Sequence, residues 1–381
     1  MNDVRRINRY KGMFMKFKPY TYFLCALALI LILISPWLIL TLYRTPPEAA
    51  VYKGIVRLWH ITEWRTGGSS AASFLRKRAA EFESRNPYVI IEVTAMNADD
   101  AQHALLRGEM PDIISYPYGF DPAFALAPLP PRDIAVSLPD STSYPYMCGG
   151  CCILINTDMA EQNNLYLEDD WGIRPDDLLS AAAFGACFDA EDGYTSLPAI
   201  ALHTYPADTA PNISTWPRPP LPDAALNLIP SALSDGLTSF CDEESCVLIA
   251  SHRQLFDVRQ RYMQGDAPQF GAYALGGYTD MVQCISVGIC DDILKQSVCT
   301  AFAEYLLSNS AQTKLQALGV LPVVPGLEIY EDDACLSAMY QLMMDDPAVV
   351  TPLQSTSLNA LCTDAFAGDS AALRQLRQQL R

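Results

Sequence analysis

Residues 54–64 read GIVRLWHITEW, residues 69–93 read SSAASFLRKRAAEFESRNPYVIIEV, and residues 104–120 read ALLRGEMPDIISYPYGF. Val56 to Trp59 has the composition of a strand. Gly67-Gly68-Ser69-Ser70 supplies a turn and hydroxyls suited to capping a helix. Phe74, Leu75, Arg78, Ala79 and Phe82 then recur at helical spacing, and Asn86-Pro87 ends the run. Tyr88 to Val93 is β-rich. This order is a βαβ unit, which predicts an α/β fold with a parallel sheet. Gln102 to Arg107 reads as a short helix closed by Gly108, and Asp112 to Ser115 as a buried strand. Ligands of open α/β sheets bind beyond the carboxyl ends of the strands. Trp64, Tyr116, Tyr118 and Phe120 are therefore expected on one rim.

Further along, residues 121–147 are Pro-rich and loop-like. Tyr146 to Thr157 (YMCGGCCILINT) is a glycine-kinked approach to an apolar strand. Residues 205–230 are crowded with proline and read as an extended surface loop. Ser245 to Ala250 reads as a strand, 252–264 as a helix and 272–290 as strands. Gln296 to Ser308 is an amphipathic helix, and the tail to Arg381 has helical spacing.

Taken together, residues 53–325 resemble the family 1 extracellular solute-binding proteins, receptors of ABC importers, many of which take carbohydrates. The likeness rests on the opening βαβ order and on several short motifs. Asn156-Thr157-Asp158 is similar to the family's Asn-Lys-Asp turn into a helix, with Thr157 in place of Lys. Residues 171–183 resemble a second helix start. Leu306-Leu307-Ser308, Gln312 to Leu315 and Gly319-Val320-Leu321-Pro322-Val323 match a closing pattern. The resemblance implies a two-lobed, type II-like periplasmic-binding-protein fold. Lobe 1 would be 51–148 plus 272–312 and lobe 2 149–271 plus 313–381, with three crossings as a hinge. It also implies ligand capture by closure, docking on ABC permease subunits, no cofactor and no covalent chemistry of its own.

Net charge is −17 over 381 residues. Residues 1–22 carry Arg5, Arg6, Arg9, Lys11, Lys16 and Lys18 against Asp3, a net +5, so everything after Tyr22 carries −22. So acidic a body argues against nucleic acid, whose phosphates need a basic footprint. Phe23 to Tyr43 (FLCALALILILISPWLILTLY) has no charge and matches the roughly 20 apolar residues that span a bilayer. The basic flank puts 1–22 in the cytoplasm and the body outside, on a single-pass anchor followed by a linker at 44–54. A cleaved signal peptide fits less well, because Pro47-Glu48-Ala49-Ala50 lacks small residues at the required spacing.

Candidate ligand-binding residues are Trp64, Arg65, Tyr116, Tyr118, Tyr146, Trp216, Arg253, Tyr278 and Asp280. Flat aromatic rings match the C–H face of a pyranose, and polar groups at the edge fix its orientation. Glu63 belongs with the polar candidates. Of twelve cysteines, eleven lie in the exported body, and Cys241 and Cys246 are the nearest candidates for a disulfide. Cys148-x-x-Cys151-Cys152 has ligand-like spacing. A zinc site would want a second pair, and Cys241 and Cys246 have four residues between them, with His252 the one histidine near either cluster. The three-cysteine group sits where the family runs its lobe crossing, so disulfide or buried thiols are expected and no metal. The sequence has no HExxH, Walker A, Rossmann or Gly-x-Ser-x-Gly pattern. Two alternatives to a sugar receptor stand: a sensor or partner-binding module on the same fold, and an anchored hydrolase with carboxylates paired in space.

Overall fold

A computed structural model describes residues 51–136, 138, 141–163, 186–187 and 236–345, with single residues 27, 30 and 371. No helix among the described residues is long and apolar enough to cross a membrane. Apart from residues 27 and 30, the stretch 23–43 lies outside the described residues, as do 171–183, Trp216, the Pro-rich loop and nearly all of the tail.

The chain opens as its periodicity dictates. Strand β1 (Gly54–Ile61) is followed by helix α1 (Ala71–Arg85), whose N-cap Ser70 accepts from Ser73 N. One face of α1 buries Phe74, Leu75, Arg78, Ala79 and Phe82, and Asn86 closes its end by donating Nδ2 to Phe82 O at 2.9 Å. Strand β2 (Val89–Met96) leads to helix α2 (Ala98–Leu106). This helix starts earlier than expected: Asn97 caps it through Asp100 N at 2.7 Å. Asp99 and Asp100 fill its first turn, where negative charge suits the helix dipole. Glu63 also accepts from Ala98 N at this terminus.

Strand β3 (Ile113–Pro117) precedes β4 (Ser143–Asn156), which runs into helix α3 (Thr157–Gln162) capped by Asn156. A short β5 (Ala186–Cys187), helix α4 (Gly236–Cys241) and strand β6 (Val247–Ser251) follow. Helix α5 (His252–Gln264) begins with a capping box between Ser251 and Gln254 and ends on left-handed Gly265. Strand β7 (Phe270–Val287), helices α6 (Ile293–Leu306) and α7 (Asn309–Gln312), a 3-10 turn (Thr313–Leu318) and helix α8 (Ala334–Asp345) complete the order.

The sheet order is β2-β1-β3-β7-β4-β6-β5. It is mixed, not parallel throughout. Only β1–β2, β1–β3 and β5–β6 run parallel, because β7 returns antiparallel between β3 and β4. Two long strands unite two halves of this sheet. The end of β7 pairs with β3 and with Ser143–Cys148, whereas its start, Phe270–Leu275, pairs with Cys151–Asn156. Between them the register breaks: Gly150 faces Thr279, but Cys151 faces Leu275. Gly276, Gly277 and Tyr278 thus have no partner on β4. At the same waist Cys148 exchanges backbone hydrogen bonds with Leu321, N to O at 3.0 Å and O from N at 2.8 Å.

Helix α1 packs on α6 through Phe82 and Phe302, edge to face at 5.4 Å. Helix α8 lies over β7 and β4. Buried Gln312 ties the closing segment to the sheet: Nε2 donates to Tyr146 O and Leu306 O at 2.8 Å, and Oε1 accepts from Val323 N at 2.9 Å. A buried amide needs such partners, since leaving one unmet costs about 1–3 kcal/mol.

Cys241 and Cys246 are both buried free thiols in this structure, and the chain between them turns at Glu243, φ 61. Burial pushes both thiols above the usual cysteine range.

Candidate functional site

Beneath the loop that follows β1, four strands contribute to one buried polar network. Trp64 Nε1 donates to Gln283 Oε1 at 2.9 Å. The indole N–H is donor only, which fixes the Gln283 amide with its oxygen toward Trp64. Gln283 Nε2 then donates to Ile61 O at 3.2 Å and Ser115 Oγ at 3.0 Å. Ser115 Oγ also lies 3.0 Å from His60 Nδ1 and 2.9 Å from Tyr146 OH. Burial, with Arg76 adding a smaller effect, pushes His60 down to about 4. A neutral His60 accepting at Nδ1 from Ser115, with Tyr146 donating to Ser115, satisfies each of these contacts.

That network seats Trp64, and Trp64 meets helix α5. Its ring and the His252 ring stand edge to face, centroids 6.1 Å apart at 83°. Next along the loop, Arg65 forms a two-point ion pair with Asp257, Nη1 to Oδ1 at 2.9 Å. Gly67 and Gly319 both abut the ring of Phe256, and a Cβ on either would run into it. Gly68 N donates to Leu318 O at 2.8 Å. The loop belongs to the half of the sheet built on β1–β3, and α5 follows β6 in the other half. These contacts join the loop directly to α5 and to the segment around Leu318.

The candidates read from sequence separate into groups. Trp64 and Arg65 stand at this junction, and buried Arg253 sits in the first turn of α5 beside His252. Tyr118 is half-buried, its N–H bonded to Val282 O at 2.8 Å. Tyr116 is not on a rim: it is buried, and its hydroxyl meets Ser286 Oγ at 2.9 Å. Tyr146 is fully buried in the network below. Tyr278 and Asp280 lie in β7 at the register break, their side chains outside the description. Glu63 serves the end of α2. His252, Phe256, Asp257 and Gln283 were not among the candidates. Gln283, a lone amide inside the apolar run MVQCISV, was the legible signal. No group of His, Cys, Asp and Glu able to hold a metal ion occurs among the described residues.

No family model matches the sequence, and no curated protein matches it. Solved structures do. The cyclic alpha-maltosyl-1,6-maltose binding protein of Arthrobacter globiformis aligns at 17% identity over 86% of this chain and 98% of its own, with a TM-score of 0.63. The GacH receptor of Streptomyces glaucescens, solved unliganded and with acarbose, aligns at 15% identity over 86% and 97%, TM-score 0.53. An ABC substrate-binding protein of Listeria monocytogenes in complex with cycloalternan aligns at 16% identity over 86% and 98%, TM-score 0.53. These three are binding proteins and not enzymes. At such identities the likeness establishes the fold, that of the two-lobed solute-binding receptors.

Proposed function

We propose that the protein is a carbohydrate receptor that captures its ligand by closure of two lobes. The lobes meet where the registers of β4 and β7 break and where Leu321 crosses. The observation that carries this reading is Trp64, held from below by Gln283 and set against His252 on the opposite wall. The indole is buried in this arrangement; parting of the two walls would bare its flat face, already fixed in orientation, and such a face suits the apolar side of a sugar ring. Proteins of this fold at TM-scores above 0.5 that bind cyclic and linear glucosides by name support the ligand class. Closure is favoured to the extent that the ligand contacts both lobes only when they are shut.

In the same proposal, Phe23–Tyr43 anchors the chain in the cell membrane with the body outside. The closed receptor then docks on ABC permease subunits, which supply ATP hydrolysis.

The test is thermal unfolding of the detergent-solubilised full chain against malto-oligosaccharides, raffinose, cyclic glucans, amino acids and polyamines. A native-state ligand raises the midpoint by mass action. A rise with one sugar class, lost in Trp64→Ala, is expected. A rise with amino acids or polyamines alone would replace the carbohydrate reading, and no rise with any of them would move the protein to the sensor class.

A further inference from the structure

Strand β4 and helix α8 are in register with each other in a way that sulfur chemistry makes visible. Alternate residues of β4, at 148, 150 and 152, face α8. Cys148 Sγ lies 3.3 Å from Met343 Sδ. A Cβ on Gly150 would stand 2.7 Å from Met339 Sδ. Two residues of strand advance about 6.7 Å and four residues of helix about 6 Å, so the steps match. The next pair in this series is Cys152 with Cys335. Both are buried thiols in this structure, and Cys335 is among the neighbours that raise the Cys152 thiol, after burial itself.

We propose that Cys152 and Cys335 form a disulfide when the chain folds in an oxidising compartment, stapling α8 to the strand just beyond the waist of the sheet. The oxidant is a small-molecule disulfide. One cysteine thiolate attacks it, forming a mixed disulfide and releasing one small thiol. The second cysteine thiolate then displaces the other. The Sγ–Sγ bond forms, the small disulfide is reduced to two thiols, and the two thiol protons leave with them.

Order matters in this step. Burial raises Cys152 well above the ordinary thiol range, with the nearby Arg259 guanidinium offsetting only part of it. The thiolate is the attacking species, so the packed protein exchanges slowly and the bond is made before α8 settles. Neighbouring Cys151 points to the opposite face of β4, as the period of a strand requires, and is not the partner. Cys148 faces Met343, which has no thiol to offer. The inference is independent of the ligand.

The experiment is to unfold the full-length chain in detergent and refold it in parallel with oxidised glutathione and with reductant. Both samples are then alkylated and digested, and the cysteine peptides are mapped by mass. The expected result is a linked peptide joining Cys152 to Cys335 in the oxidised sample only, with a higher thermal midpoint than the reduced sample. In Cys335→Ser that peptide disappears and the midpoint no longer depends on the redox buffer. Full alkylation of both thiols after oxidising refolding, or a linked peptide pairing either of them with another cysteine, would overturn the proposal. Mapping on the wild-type chain decides the question even where Cys335→Ser fails to fold.

Discussion

Arg65 and Asp257 pair through two contacts across the junction between the loop after β1 and helix α5. The pair is open to water on the arginine side, where the side chain is 62% exposed. Its contribution to fold stability is therefore small, about 0.2–1 kcal/mol. On the proposed closure its leverage would be on the shut state, because the two residues come from opposite walls. Under the proposed function, Asp257→Asn is expected to weaken sugar binding by about 1.4- to fivefold, as the closed population falls by the same free energy. Titration calorimetry at two salt concentrations checks this. The wild-type affinity should drop with salt while the variant's changes less, and equal salt dependence in both would refute the role.

Gln283 is the keystone of the network under Trp64. Gln283→Leu removes both an acceptor and a donor, leaving the indole N–H and Ser115 short of partners. A loss of about 2–4 kcal/mol in unfolding free energy is expected. Trp64 would also loosen, shifting its fluorescence. A variant with wild-type urea midpoint and unchanged emission would show that the network does not seat the indole.

His60 makes stability depend on pH. Its folded value of about 4 lies below the ordinary 6.5, so between those values the unfolded chain binds more protons. Its contribution is present in full above pH 6.5 and is lost as pH falls toward 4. The whole window amounts to roughly 3 kcal/mol. Urea unfolding of the full chain at pH 4, 5, 6 and 7.5 measures it, and His60→Asn should flatten the slope contributed here. An identical pH profile in that variant would mean another group carries the dependence.

Gly67 is pressed against the Phe256 ring with no room for a methyl. Gly67→Ala must push the loop off α5 or tilt Phe256, at a cost of about 1–3 kcal/mol. Phe256→Leu, by making room, is expected to restore part of that loss in the double variant. Additive losses in the double-mutant cycle would disprove the contact.

How much of this was legible beforehand follows from the range of the interactions. Elements β1 to β3 are local, so spacing and caps reveal them: Ser70, Asn86-Pro87 and Gly108 mark their ends in the bare sequence. The return of β7 between β3 and β4 rests on pairings over a hundred residues apart, and nothing local announces its direction. The site shows the same division. That Trp64 follows β1 is a local property and was readable; that it is buried against Gln283 and His252 was not. Tyr116 and Tyr146 were misplaced because strand position alone does not say which face a side chain takes, and their hydroxyls turn inward to Ser286 and Ser115. His252 acquires its role only when β6 delivers α5 opposite the loop. Cys152 and Cys335 are far apart in sequence, and only the register of β4 with α8 makes them a pair.

At the waist, β7 spends three more residues than β4 to cover the same distance, two of them glycine. The ladders above and below are thus fastened independently, and neither must slip for the other to turn. On the proposed closure, rotation of one half of the sheet against the other would be absorbed by torsion in Gly276 and Gly277, since glycine tolerates backbone angles closed to other residues. Such a joint would bend without unzipping, leaving the hydrogen bonds that define each half made through every cycle.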